Sequence, residues 1–339
     1  MKNKEEIEII TLHETPDELQ LEFCPKEFDE YLGQAELKNK LAVYTQAAKM
    51  RNEPLDHMLL FGPPGLGKTT LSQIMANVLN VGIKICSGPM LERTGDLVAI
   101  LSGLDPRDIL FIDEIHRMPS NVEEILYSAM ENFRVDVIIG QGAGAKSVNL
   151  PLNPFTLVGA TTKSGMISAP LRSRFGISER LDFYSDEELR DIVMQSAQFL
   201  KIEIDSAAAL LVGGCARGTP RIAKKLLRRV RDVAQVQKKS IIDHTIVKQA
   251  LIFLGIDEEG LTKVDHMIMQ KIIENFNGGP VGLETLAAII GEDKETIEMV
   301  YEPFLLRKGY LEKTPRGRQI PAKKLPLLRA QFIGQQTLF

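Results

Sequence analysis

Cysteine is scarce: Cys24, Cys86 and Cys215 are the three in 339 residues, far apart and without a CxxC pair. That spacing excludes a disulfide framework and the usual structural zinc patterns, and it predicts buried free thiols. Long apolar runs are missing as well. No stretch approaches the roughly 18 consecutive apolar residues of a membrane span, and the first thirty residues are acidic where a secretory leader would be basic and then apolar. A cytoplasmic protein is expected. Internal repeats and low-complexity tracts are also absent, which removes solenoids and repeat arrays from consideration.

What is present is an ordinary globular composition, 44% hydrophobic and 25% charged, in a chain long enough for roughly two to three domains. The net charge of −4 is unevenly placed: residues 1–36 carry eleven acidic and three basic side chains, whereas residues 303–339 carry eight Lys or Arg against the single acid Glu312. The basic end hints at a polyanion partner, although a charge run is more often a solvated face.

Between Leu55 and Asp182, short apolar runs alternate with helical patterns. The strand candidates are His57–Phe61, Ile109–Ile112 and Phe155–Val158, each ending at a polar or Gly-rich segment, where an open parallel sheet places its ligands. This predicts an α/β domain, a parallel sheet with helices on both faces. Residues 183–255 read as a small helical domain, including a basic helix over 220–238 started by Thr219 and Pro220. Beyond it come helical patterns near 263–276, 283–290 and 293–306, with Pro303 expected to kink or end the last. A Gly/Pro-rich β signal from Tyr310 to Ile320 follows, and three helices plus a basic hairpin predict a winged helix. The expected boundaries are 1–182, with 1–22 disordered, then 183–255 and 256–339.

Gly62-x-x-x-x-Gly67-Lys68-Thr69 directly follows one of those strands and opens a helix predicted over Leu71–Leu79. In that context the spacing is the Walker A phosphate loop: Gly62, Gly65 and Gly67 free backbone N–H groups to curl around phosphate oxygens. Lys68 reaches the β- and γ-phosphates, and the Thr69 hydroxyl ligates Mg²⁺. A chance glycine turn is the bland alternative and fits poorly with a strand before and a helix after. Ile109–Glu114 is an apolar strand ending in two acids, the Walker B form, in which Asp113 holds Mg²⁺ through water and Glu114 is the general base for the attacking water. Thr162, after the third strand, is the first choice for sensing the γ-phosphate. Arg174 is a candidate arginine finger for a neighbouring subunit's nucleotide, and Arg221 a candidate contact to the chain's own. Lys224, Lys225, Arg228, Arg229 and Arg231 are expected on a solvated face.

The ordered set of segments resembles the RuvB family, AAA+ motors that drive branch migration of Holliday junctions. It comprises Asp29–Gln34, Phe61–Thr70, Phe111–Arg117, Gly159–Thr162, Arg217–Arg221, Gly278–Leu283 and Thr314–Arg318, spanning nearly the whole chain. The resemblance implies a AAA+ ATPase domain, a helical lid and a winged-helix head, assembled as a homohexameric ring with ATP and Mg²⁺ between subunits and Arg174 acting in trans. It implies four-way junction and duplex DNA as substrates, RuvA as the docking partner and RuvC as a further member of the complex. Phe23, Cys24 and Tyr184 would lie on the adenine side and Gly65, Lys68, Thr69 and Thr70 on the phosphates. Glu131, Asn132 and Phe133 would approach the nucleotide of a neighbour. Lys313, Arg316 and Arg318 fall on the DNA-contacting wing, where Lys313 replaces the more usual arginine. The hairpin of residues 134–152, with Val135, Val137, Ile139, Val148 and Leu150, would dock RuvA; packing on its own domain is the alternative. A clamp-loader or initiator-type ATPase, or a DNA-binding regulator that uses ATP only as a switch, remain open rivals.

One departure stands out: before Pro25 this chain has Cys24 where the family carries arginine. A cation near the nucleotide is missing while the phosphate-binding groups are intact, so nucleotide affinity is expected to fall and hydrolysis to survive. A nucleotide titration of Cys24→Arg checks this; unchanged affinity would sink it.

Overall fold

The computed structural model describes residues 23–139 and 146–334, with side chains at 137–139, 146–147 and 333–334 outside the description. Expectations about Met1–Glu22, the hairpin tip Gly140–Gly144 and the side chains of Val137 and Ile139 therefore lie outside the described residues. The chain forms two compact units. The first runs to Tyr184 and includes Thr219–Arg221; the second comprises Ser185–Gly218 and everything from Ile222 onward.

The first unit is built on five strands, β1 (Met58–Phe61), β2 (Ile83–Ser87), β3 (Ile109–Asp113), β6 (Thr156–Thr161) and β7 (Ile177–Arg180), in the order β2-β3-β6-β1-β7. Every pairing is parallel. Leu110 and Ile112 of β3 and Leu157 of β6 are wholly buried, as expected of a parallel sheet covered on both faces. Helices α1 (Ala35–Arg51), α2 (Lys68–Leu79), α3 (Thr94–Ser102) and α4 (Ser120–Asn132) supply the cover, together with the short α5 (Ala169–Arg172). Leu97 and Leu101 of α3 and Val122, Leu126 and Ala129 of α4 join the sheet residues in one core. The apolar run at Phe155–Val158 continues as a single strand through Gly159 and Ala160. A Cβ on Gly159 would meet Ile115 and Phe175 at 3.0 Å, so this position needs its missing side chain.

A separate antiparallel hairpin, β4 (Arg134–Ile139) with β5 (Lys146–Pro151), pairs Val137 with Val148. Val135 is fully buried in the core of the unit, Val148 is 44% exposed and Leu150 is half-buried. Of the three cysteines, Cys86 and Cys215 are buried, and burial pushes both thiols up to about 12. Cys24 is exposed, which corrects the expectation that all three are buried.

In the second unit, α6 (Asp186–Phe199) starts with a reciprocal cap between Ser185 and Glu188. Asp205 caps α7 (Ser206–Cys215) and Asp243 caps α9 (His244–Leu254), each accepting a backbone N–H. The basic helix α8 (Pro220–Val236) buries Ala223, Leu226, Leu227 and Val230; Lys225 and Arg229 are exposed, while Lys224, Arg228 and Arg231 are half-buried. Two-residue strands β8 (Glu203–Ile204) and β9 (Ile241–Ile242) pair in parallel. The C-terminal part has α10 (Lys263–Phe276) and α11 (Leu283–Ile290), as the sequence predicts. The helix predicted over 293–306 is present as one continuous run, Lys294–Thr296, a π-helical turn at Ile297–Tyr301, then α12 (Glu302–Arg307). Pro303, expected to kink or end it, follows directly on the π turn, and the helix continues to Arg307. The hairpin β10 (Glu312–Thr314) and β11 (Gly317–Gln319) and a last helix, α13 (Leu325–Gly334), complete a winged helix. Its core is Ile268, Met269, Ile272, Leu286, Phe304, Leu305 and Leu328.

A buried ion pair ties this unit together. Arg217, held at φ 54°, donates two bonds to Asp265, at 2.7 and 3.1 Å, and one to the Val300 carbonyl at 3.1 Å. Its guanidinium lies 4.4 Å from the centre of the Phe304 ring. Asp265 is fully buried and at the same time caps α10 through Thr262. Removing one partner of such a pair leaves a desolvated charge, so Asp265→Ala is expected to cost about 3–5 kcal/mol. The measurement is the urea midpoint of the helical signal, and a loss below about 1 kcal/mol would show that Arg217 finds water instead.

Candidate functional site

The phosphate loop occupies the carboxyl end of β1, and its conformation is one that only glycine tolerates. Gly62, Gly65 and Gly67 have φ of 146°, 79° and 99°. A Cβ on Gly62 would sit 2.4 Å from the Leu181 carbonyl oxygen, and one on Gly67 would sit 2.8 Å from the Tyr31 hydroxyl. Lys68 begins α2 and is only 7% exposed. Its ammonium donates to the Gly62 and Pro63 carbonyls, each at 3.0 Å, so the loop folds around its own cation. Burial pulls the Lys68 ammonium below the usual lysine range, with Asp113 and Glu114 pulling the other way. Thr69 and Thr70 follow in the first turn of α2, both half-buried.

Parallel pairing sets Ser87 beside Asp113, and β6 beside β3, so the strand ends bring the acids and Thr162 together. Asp113 accepts from the Glu114 backbone N–H at 2.9 Å, and burial pushes its carboxyl above the usual aspartate range. Glu114 has φ 46° and ψ 45°, a left-handed conformation costly for a side chain with a Cβ. A Cβ on Gly88 would lie 2.5 Å from the Glu114 carbonyl oxygen, so glycine there gives the strained turn its room. The Glu114 carboxylate accepts from the Thr162 hydroxyl at 3.1 Å and backbone at 3.3 Å.

His116, not singled out from the sequence as a site residue, completes this group. Its Nδ1 lies 3.1 Å from Glu114 Oε2 and 2.8 Å from the Thr161 hydroxyl, and its side chain is nearly buried. The run Asp113-Glu114-Ile115-His116 contains the signal, because a His two residues after an acid in a tight helical turn can reach back to it. Tyr31 was likewise passed over: its hydroxyl meets that of Tyr184 at 2.7 Å, and each lies 3.2 Å from the Leu66 carbonyl. Arg221 belongs to this unit and lies against the loop, its N–H donating to the Gly65 carbonyl at 3.4 Å and its Cβ 3.1 Å from where a Gly65 Cβ would be. Phe23 is half-buried and Cys24 exposed.

Arg174 contacts a different part of the unit. Its guanidinium pairs with Glu131 at 3.1 Å, donates to the Pro170 carbonyl at 2.7 Å and lies 4.6 Å from the centre of the Tyr127 ring. Glu131, Asn132 and Phe133 close α4, where Phe133 takes a left-handed φ of 47°. The arrangement therefore separates two groups. Lys68, Asp113, Glu114, Thr162 and Arg221 surround the loop, while Arg174 and Glu131 form a second polar site of their own. On the wing, Lys313 and Arg318 are register partners, and Arg316 is exposed at the turn. Among the described residues no cluster of His, Cys, Asp and Glu could alone hold a metal, and no helix is long and apolar enough to cross a membrane.

Comparison with known proteins agrees with this geometry. Three family models match in succession: the Holliday junction DNA helicase RuvB P-loop domain over residues 23–181, the RuvB AAA lid domain over 184–257 and the RuvB C-terminal winged helix domain over 258–329. The Holliday junction branch migration complex subunit RuvB of Staphylococcus haemolyticus is 54% identical over 311 residues, 92% of this chain and 94% of that one. The Staphylococcus aureus protein of the same name is 52% identical over 322 residues, 95% of each. The solved Thermotoga maritima RuvB Holliday junction branch migration motor superposes with a TM-score of 0.81 at 49% identity, covering 91% of this chain and 98% of that one.

The Glu114 carboxylate, expected from the sequence to be the general base, is held by Thr162 and His116. Glu114→Gln keeps the volume and one acceptor oxygen but loses the base. It is expected to bind nucleotide with near-normal affinity and to lose roughly 10²–10⁴ in turnover, measured as phosphate release at saturating nucleotide. Full turnover would remove Glu114 from the chemistry.

Proposed function

From the premise that the chain belongs to the RuvB family of Holliday junction DNA helicases, we propose that it is the ATP-driven motor of a branch migration complex, acting on four-way junction and duplex DNA. The observation that carries the reading is the joint presence in one chain of a phosphate loop beside the Asp113–Glu114 acids and a winged helix. ATP hydrolysis belongs to the first unit, and the clamp-loader, initiator and switch alternatives find no support in any of the three matched domains.

The residues around the loop fit a nucleotide. The three glycines hold a backbone turn in which a Cβ would run into Leu181, Arg221 or Tyr31, and the Lys68 ammonium donates to two loop carbonyls, with no carboxylate in hydrogen-bonding contact among the described residues. A phosphate anion entering the cradle exchanges those carbonyls for a full negative charge, a charge-assisted bond of about twice the strength. Thr69 and Asp113 are the residues that would hold Mg²⁺, which when bound neutralises charge on the phosphates. Glu114 orients the attacking water and accepts its proton, Thr162 and His116 fix the Glu114 carboxylate, and Arg221 supplies a cation beside Lys68. Tyr31 and Tyr184 brace the loop through the Leu66 carbonyl.

Arg174, with Glu131, Asn132 and Phe133, is read as the half-site offered to a neighbour, which makes the working form a homohexameric ring. RuvA is the proposed docking partner through the β4–β5 hairpin, where Val148 is the exposed apolar side chain among those described, and RuvC a further member of the complex. Lys313, Arg316 and Arg318 are read as phosphate contacts, which position DNA without reading sequence. The boundaries at 182 and 255 remain part of the same reading.

Two outcomes test it. Four-way-junction branch migration with ATP should be strongly stimulated by RuvA, and a protein that hydrolyses ATP with no effect on the junction would overturn the motor assignment. Arg174→Ala alone should lower turnover by about 10³–10⁵, yet mixing it with Lys68→Ala subunits should restore part of the rate through shared sites. No restoration in the mixture would count against action in trans.

A further inference from the structure

The wing carries its cations already paired, and the partners come from the helix that carries the π turn. Lys313 and Arg318 face each other across β10 and β11. Both reach Glu302, which is 1% exposed: Lys313 Nζ lies 3.1 Å from Oε1, and Arg318 donates through Nε at 3.2 Å and Nη2 at 3.1 Å. Glu298, 45% exposed, lies 3.7 Å from each of the same two cations. Two carboxylates therefore stand against two cations at the base of the wing, and Arg316 is the cation left at its tip.

We infer that Glu298 is a displaceable counter-ion of the wing, a carboxylate that occupies the place of a DNA phosphate and sets how tightly the motor grips duplex. The inference rests on reading Lys313 and Arg318 as DNA contacts and concerns what limits them. The two acids have different parts. Glu302 is desolvated and bidentate, so it stays with Arg318 and positions it, and the backbone reinforces this: Arg318 and Val281 exchange N–H to carbonyl bonds of 2.8 Å in both directions. Glu298 is half-exposed and beyond hydrogen-bond length, a contact of little strength that a phosphate can replace. Glu298 lies in the π-helical turn Ile297–Tyr301 and Glu302, four residues on, begins α12, so both carboxylates reach the wing from one side of the helix. With Glu302 retained, the wing base has one positive charge to offer, and it becomes available to a phosphate as Glu298 leaves.

The test is duplex binding by the full chain with a fluorescent duplex of arbitrary sequence, titrated at several salt concentrations. Glu298→Gln is expected to bind roughly two- to fivefold tighter at low salt, with the slope of log K against log salt steeper by up to about 0.9 per phosphate newly engaged. In the Lys313→Ala background the gain should shrink, because the cation that Glu302 does not hold bidentately is then absent. An unchanged affinity and slope for Glu298→Gln overturns the inference. So does a gain of equal size with and without Lys313, which would assign the effect to net charge alone. If Lys313→Ala and Arg316→Ala both leave duplex affinity untouched, the wing is not the DNA contact, and the reading beneath the inference fails with it.

Discussion

A buried ammonium that, among the described residues, hydrogen-bonds to carbonyls of its own loop is the constraint around which the first unit is organised. Lys68 is desolvated by the glycine turn that encloses it, and desolvation disfavours its charged form. A group in that state gains more from an incoming anion than an exposed lysine would, because the solvation it would otherwise lose is already gone. The same enclosure explains why the loop's neighbours are so restricted. Leu181 approaches Gly62 and Tyr31 approaches Gly67 at distances that leave no room for a side chain. The sheet order then finishes the arrangement: with β3 and β6 on one side of β1 and β7 on the other, Asp113, Glu114 and Thr162 arrive at one edge without any long-range loop.

Charge balance in this site is deliberately incomplete in the free protein. Asp113 is raised by burial and Lys68 lowered by it, so each carries less charge stabilisation than in water. Neither is paired by a direct salt bridge to the other among the described contacts. Polyphosphate and a divalent cation would satisfy both at once, the phosphates meeting Lys68 and the cation meeting Asp113. Glu114, by contrast, is already committed to Thr162 and His116. Buried charges that an incoming ligand would stabilise, beside a carboxylate already held in place, are the division of labour expected where binding precedes hydrolysis.

Much of this was legible in the sequence because it is local. The glycine spacing and the apolar strand ending in two acids each depend on neighbours within a few residues. What escaped depends on tertiary approach. His116 and Tyr31 lie inside recognised segments, yet nothing in residue order says that one turns back to Glu114 and the other meets Tyr184 across 153 positions. The π turn inside the 293–306 helix escaped for a different reason. Helical periodicity persists through a π turn, and Pro303 points to a break at its own position rather than to a π turn upstream. The wing's ion pairs were hidden by composition: an excess of basic residues over residues 303–339 says nothing of Glu298, which lies just outside that window, or of Glu302 beside it.

The helix that carries the π turn presents groups to two arginines. Tyr301 and Phe304 turn their rings toward Arg217, whose guanidinium also takes the Val300 carbonyl, while Glu298 and Glu302 turn toward Lys313 and Arg318. One short stretch thus holds two arginines on different faces, one through aromatic rings and a carbonyl, the other through carboxylates. Arg217 stands four residues before Arg221, the cation beside the phosphate loop, and Arg318 lies in the proposed DNA-contacting wing. Glu298 and Glu302 are four residues apart, the spacing that puts two side chains on one face of a helix, so both carboxylates can meet one shared pair of cations. Within the second unit this stretch ties the fixing of Arg217 to the fixing of the wing.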